Sequence, residues 1–298
     1  MSTSSPHVFK SSLASVLNFR DIGATINQYS NAQSLQPSRL FRSARPDDAS
    51  SGDRHAIQSV YGIRTIIDLR SKTEHIEQAK KHDNNTASTL LLATNEGSDT
   101  DAIRIKGIRY VDINLNGGAF SRALLWKLKW FSLAKLLTLM AAGYRTEAIS
   151  ILGKEVMEPR GLVGLGRDSL DYSRREIRDV FEVLALQSNY PILVHCTQGK
   201  DRTGLVVILL LALLDTPVGS IDADYRASQR ELETEKEARL KEIRSIGLSE
   251  SFAECPEGFV ESVLQHIDKQ YGGVSNYLQS CGVRAESLER IKQLMLQL

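Results

Sequence analysis

The sequence predicts an α/β fold: a central, mostly parallel sheet flanked by helices, with a helical insertion and a helical C-terminal part. Three observations predict it. Short apolar runs alternate with helically spaced segments through residues 18–115. The run Pro191-Ile192-Leu193-Val194 reads as a buried strand and leads through a short loop to Leu205-Val206-Val207-Ile208-Leu209-Leu210-Leu211. That second run, with its neighbours, is long enough for a buried helix. Beyond it the chain looks helical to its end.

Taken in order, residues 1–12 are rich in Ser and are expected to be disordered. Residues 13–298 are read as one domain, with the helical insertion around 119–157. Strand-like runs fall at residues 39–43, 65–69 and 108–115, and helical spacing at 47–61 and 73–81. Residues 83–101 are polar and read as a loop or insertion. Residues 121–157 open a long apolar stretch, and Lys127, Lys129 and Lys135 within it argue against a membrane span. Two readings follow. Either helices pack on the sheet or cover the site, or an interfacial helix touches lipid. Packing is the commoner use of such helices and is the reading preferred here. Residues 161–166 are glycine-rich but lack a following Lys-Ser or Lys-Thr, so they are no nucleotide loop. They read as a flexible joint. Residues 218–246 carry Glu231, Glu233, Glu235 and Glu237 among Lys236, Arg239 and Lys241, a solvated face.

The 298 residues hold 37 basic and 36 acidic side chains, a net +1, so no basic excess points to nucleic acid. Three cysteines, Cys196, Cys255 and Cys281, are too few for a disulfide framework and fit a reducing compartment. The first ten residues are polar, without the apolar core of a signal peptide. No uncharged apolar run reaches a spanning length of about 18 residues. The expectation is a soluble, cytoplasmic protein without stable membrane insertion.

The chemistry concentrates in His195-Cys196-Thr197-Gln198-Gly199-Lys200-Asp201-Arg202-Thr203-Gly204. A loop feeding a helix N-terminus turns backbone N–H groups inward, and the helix dipole adds positive potential. Such a nest binds phosphate oxygens. The same field favours a thiolate at Cys196, a nucleophile able to take a phosphoryl group. Arg202 offers a planar fork for two equatorial phosphoryl oxygens. Thr197, Gln198, Gly199, Lys200, Asp201 and Arg202 form the expected phosphate cradle, with Gly199 allowing the turn. His195 is expected to point away and order the loop by hydrogen bonding. The Thr203 hydroxyl is expected within reach of the sulfur. Lys200 has two readings: a rim charge for a second phosphate, or a solvated surface lysine.

The run resembles the signature loop of cysteine-dependent tyrosine phosphatases. Gly199-Lys200-Asp201-Arg202-Thr203-Gly204 is similar to the form found in an atypical bacterial and fungal branch. Leu17-Asn18-Phe19-Arg20-Asp21-Ile22-Gly23, Leu40-Phe41-Arg42-Ser43, Ile66-Ile67-Asp68-Leu69-Arg70-Ser71 and Asp224-Tyr225-Arg226-Ala227-Ser228 resemble further shared segments. The resemblance runs from about residue 13 to about residue 282 and is loose over 84–165. It implies a cysteine-phosphatase fold and hydrolysis of phosphomonoesters through a phosphocysteine. The substrate it implies is a phosphorylated protein, most of all on tyrosine, with a phosphoinositide or a dual specificity as the alternatives.

A leaving oxygen needs a proton, and the chain has no Trp-Pro-Asp loop. The resemblance puts the acid inside the loop, at Asp201, which also adjoins Arg202 at the rim. The competing reading is that Asp201 only orients backbone or Arg202. Asp68, Asp112 and Asp168 are the alternative acids. The remaining cysteines and histidines show no ligand spacing, so neither metal nor cofactor is expected. Two other functions compete: a sulfurtransferase, which leaves the Lys-Asp-Arg-Thr-Gly run unexplained, and a non-catalytic phosphate-binding module, which does not require both Cys196 and Arg202.

Overall fold

The computed structural model describes residues 13–83 and 104–297. The expected disordered segment 1–12 and most of the expected loop 83–101 lie outside the described residues. Five strands form one sheet: β1 (Arg20–Asp21), β2 (Leu40–Ser43), β3 (Thr65–Asp68), β4 (Arg109–Asp112) and β5 (Ile192–His195). Their order is β1-β2-β5-β3-β4, with only the β1–β2 pair antiparallel. The helices are α1 (Ile22–Ser30), α2 (Ser51–His55), α3 (Lys72–Asp83), α4 (Gly118–Trp126), α5 (Trp130–Ala141), α6 (Arg145–Leu152), α7 (Glu158–Tyr172) and α8 (Arg174–Leu184). After β5 come α9 (Asp201–Leu213), α10 (Val218–Glu231), α11 (Lys236–Ser245), α12 (Phe259–Tyr271), α13 (Val274–Cys281) and α14 (Ala285–Met295). The predicted mostly parallel sheet with helical flanks is the observed one.

Strand alternation sorts the core onto two faces. Leu40, Ile67, Ile192 and Val194 face a large apolar cluster built with α1, α7, α8, α9 and α12–α14. Phe41, Ile66 and Leu193 point the other way, into a smaller cluster with Leu13, Val16, Phe19 and Ile57. Helix α9 is apolar all round, with Leu205 to Leu211 buried. Such a helix must be enclosed, and it packs against β5, α10 and α13. Gly204 lets α10 come close: a Cβ there would meet the Tyr225 ring at 3.1 Å.

Of the two expected placements of the insertion, on the sheet or over the site, the first is not the observed one. Phe120, Leu124, Leu128, Leu136, Ala148 and Val156 form a separate cluster that includes Leu165 of α7 and no strand residue. The insertion therefore rests on α7, not on the sheet. Residues 161–166 are not a flexible joint either. They lie inside α7, which kinks at Gly161 (φ 59°) and then continues helically. Gly166 packs closely there: a Cβ would sit 3.0 Å from the Phe259 ring.

Candidate active site

The parallel register sets Ser43, His195 and Asp68 side by side at the C-terminal ends of β2, β5 and β3. Ligands of open α/β sheets bind at this edge. Cys196 follows His195, is 3% exposed, and lines a cavity of about 970 Å³. The loop then turns sharply at Gly199, φ +64°, where a Cβ would lie 1.9 Å from the Ser43 carbonyl oxygen. Only glycine combines that dihedral with that approach.

Below the loop, its carbonyls are held. Asn18 Nδ2 donates to the Gln198 oxygen at 3.0 Å and the Gly199 oxygen at 3.1 Å. Arg42 Nη2 donates to the Gly199 oxygen at 2.6 Å. The buried Asp224 carboxylate accepts from Arg42 Nη1 at 2.5 Å and Arg20 Nε at 2.6 Å. Arg20 also donates to Ser228 Oγ at 3.1 Å. Burial pushes the Asp224 carboxyl up, but the two guanidiniums outweigh it and hold it below the ordinary range. Three segments quoted for the resemblance thus converge under one loop.

Above, the amides are open. No hydrogen bond among the described residues takes a backbone N–H of residues 197–202 as donor. With the carbonyls anchored below and α9 beginning at Asp201, the loop has the backbone arrangement that suits an anion at a helix N-terminus.

Arg202 is held by a residue that sequence reasoning missed. Its Nη1 and Nη2 donate to the two Glu74 carboxylate oxygens at 2.7 and 2.6 Å. Nη1 also reaches the Leu69 carbonyl at 3.3 Å, and Thr197 Oγ1 donates to Glu74. Burial pushes Glu74 up, but the Arg202 and Thr197 bonds hold its carboxyl well below the usual carboxylate range. Glu74 sits in the first turn of α3 and closes a capping box with Ser71, whose N–H and hydroxyl both donate to it at 2.9 Å. The Ser71-Lys72-Thr73-Glu74 spacing was the available signal. It announces the helix start, but not the reach to Arg202.

Asp201 lines the cavity, and its side chain is 34% exposed. Its Oδ1 makes no hydrogen bond and lies 3.6 Å from Lys200 Nζ. The orienting partner of Arg202 is Glu74, not Asp201. The alternative acids are engaged elsewhere. Asp68 is buried against Arg70 at 2.6 Å. Burial pushes its carboxyl up, but His195 and Arg70 outweigh it and keep it ionised. Asp168 is buried against Arg160 at 2.7 Å and Lys127 at 3.4 Å. Asp112 is exposed and paired with Arg104 at 2.6 Å.

Both readings of Lys200 need correction. Its side chain is fully buried, and Nζ donates to the Phe252 and Glu254 carbonyls at 3.2 and 2.7 Å. It is neither at the rim nor in solvent; it ties the loop to the turn before Cys255. His195 does point away: its ring is buried, with Nδ1 3.1 Å from the Cys196 carbonyl oxygen and Nε2 3.4 Å from Asp68. Burial lowers its pKa, more than Asp68 raises it. Thr203 is buried too, and its hydroxyl has no hydrogen-bond partner among the described residues. Asp68, His75 and Asp112 bring ligand atoms within 4.8 Å of one another, a grouping no sequence spacing announced. Arg70 already occupies the Asp68 carboxylate there.

A buried thiol, an open row of amides and a guanidinium meet on one strand–loop–helix turn. A model of the tyrosine phosphatase family matches residues 11–297, and the chain belongs to that family; it is a phosphatase, a hydrolase. It is 30% identical over 164 residues to a tyrosine-protein phosphatase of Nostoc commune, covering 49% of this chain and 55% of that one. The matched part thus spans about half the length of that relative. It is 25% identical over 294 residues to the triple specificity protein phosphatase PtpB of Mycobacterium tuberculosis, covering 94% of this chain and 96% of that one. A shorter match, 35% over 57 residues, is to an inositol diphosphatase of Arabidopsis thaliana, covering 19% of this chain and 22% of that one.

Proposed function

We propose that the chain hydrolyses phosphotyrosine in proteins through a phosphocysteine on Cys196. The observation that carries this is the open amide row of residues 197–202 around a cysteine at the cavity wall. Cys196 attacks phosphorus while the amides and Arg202 hold the equatorial oxygens. Glu74 keeps the Arg202 plane turned to the loop until the phosphoryl group arrives. Asp201 protonates the leaving phenolate, and a water then releases phosphate from sulfur. Charge neutralisation by amides and guanidinium leaves no step for a metal.

Depth supports an aryl ester. Cys196 is 3% exposed, and Phe120, Leu165, Leu205 and Phe259 line the same cavity. A short seryl ester reaches such a sulfur poorly, whereas a tyrosine ring has apolar walls to stack on. A second reading has its own support. Arg45, Arg145 and Arg239 also line the cavity, which suits further phosphates on an inositol ring. The test is a panel of phosphotyrosine, phosphoserine and phosphoinositide substrates run beside Cys196→Ser. The expected result is turnover of phosphotyrosine, a trapped phosphocysteine at residue 196, and no turnover in the variant. Wild-type-like turnover by Cys196→Ser would sink the mechanism. Preference for phosphoinositide would move the substrate to the second reading.

A further inference from the structure

Helices α4 and α5 present a second functional surface. Trp126 is 84% exposed, Trp130 68%, Phe131 67%, Leu137 56% and Met140 45%. The inward side of α5 is accounted for by Leu136, with Leu133 and Leu139 packed beside it. On the outward side, Trp130, Ala134, Leu137 and Ala141 recur at helical spacing. A helix that is apolar on both sides is ordinarily enclosed by protein; the outward side of this one is not. Burying that much aromatic surface is a strong drive to associate.

Charge selects the occupant. From residue 113 to residue 146 the charged side chains are Arg122, Lys127, Lys129, Lys135 and Arg145, without one acid, in a chain balanced at 37 basic to 36 acidic. Lys129 and Lys135 are exposed and have no acidic partner among the described residues. A second copy of this face would bring like charges together. A surface that is apolar beneath and anionic at its boundary satisfies both features, and tryptophan prefers that boundary. We infer that the outer face of α4 and α5 docks on an anionic phospholipid bilayer, lying in its interface. No helix among the described residues is long and apolar enough to cross a membrane. Phe120 and Ser121 of α4 line the cavity, so docking holds the site beside the lipid surface.

The two tryptophans of the chain, Trp126 and Trp130, both lie on this face, so intrinsic emission reads it directly. The full chain is mixed with phosphatidylcholine vesicles, with and without roughly 30 mol% phosphatidylserine. Co-flotation and a blue shift with the anionic vesicles are expected, both weakening as salt rises. Trp130→Ser with Phe131→Ser should weaken partition by about tenfold or more. Lys129→Glu with Lys135→Glu should do the same for anionic vesicles. None of these four residues lines the cavity, so hydrolysis of soluble para-nitrophenyl phosphate should stay unchanged in both variants. That control separates failure of docking from failure of the phosphatase reading. No flotation and no spectral shift at low salt would overturn the inference. So would undiminished binding by the charge-reversed variant. Self-association without vesicles, abolished by the Trp130 and Phe131 substitutions, would assign the face to a second copy instead.

Discussion

The two sides of the loop at residues 196–202 are built on opposite rules. On the carbonyl side, groups are buried and paired: Asn18, Arg20, Arg42 and Asp224 close a network around the Gln198 and Gly199 oxygens. On the amide side, donors are left open, and one exchangeable contact, Glu74 with Arg202, stands at the mouth. The difference teaches how a turn can be fixed on one side while its donors stay open on the other. A peptide plane carries its carbonyl and its N–H on opposite edges, so fixing the oxygens below aims the amides above. Rigidity is therefore invested underneath, where substrate never goes.

Breaking the lower side should have the largest effect. Asp224→Ala leaves Arg20 and Arg42 buried without their counter-charge. A loss of about 3–5 kcal/mol in unfolding free energy is expected, read from the denaturant midpoint. Activity should fall with it, because Arg42, which holds the Gly199 carbonyl, loses the carboxylate that fixes it. A fully stable, fully active variant would show that the network does not hold the loop.

On the upper side, Arg202→Lys keeps the charge and removes the plane. A loss of at least ~10²-fold in kcat is expected on phosphotyrosine peptide. A loss under about tenfold would mean that the fork is dispensable. Asp201→Asn comes next, with roughly 10²-fold for substrates with poor leaving groups. The defect should shrink as leaving-group pKa falls, a pattern that Asp68, Asp112 and Asp168 substitutions should not share. If one of them shows it and Asp201→Asn does not, the acid moves there.

Glu74→Gln should be the mildest. Retaining the shape but not the charge, it should change KM by less than about tenfold in either direction. It sharpens the comparison through pH. The Glu74 carboxyl is depressed in the folded state, so its contribution to stability is present above the unfolded value of about 4.3 and is lost as pH falls below it. Glu74→Gln should flatten that part of the acid limb in a stability–pH profile. An unchanged limb would assign the acid sensitivity to Asp224, Asp68 and Asp53, the other depressed carboxyls.

Which parts of this were legible in the sequence follows from the range of the interactions. The strand–loop–helix turn was legible because its signals are contiguous: an apolar run, a glycine, a second apolar run. The anchors were legible only as resembling segments, since nothing local tells Arg42 that it will meet Asp224, 182 positions away. Glu74 escaped because its capping role is local and its Arg202 contact spans 128 positions. Lys200 was misread because a charge in a loop usually faces water. Here the Phe252 and Glu254 carbonyls replace that water. The glycines of α7 suggested a joint because glycine weakens isolated helices, whereas Gly166 lets the helix pack closely on Phe259. The exposed aromatics of α5 could not be told from core, because the apolar spacing is the same on both sides of that helix.

The open amides of residues 197–202 have a consequence for how the molecule can be observed. They belong to a segment flanked by a fully buried strand and a largely buried helix, yet they lack the internal acceptors that slow deuterium uptake. They should label early, as an island of fast exchange between two slow stretches. An oxyanion seated in the nest supplies the missing acceptors, so vanadate should protect this island and little else. Amide labelling then becomes a footprint of site occupancy that requires no turnover and serves equally for a Cys196→Ser chain.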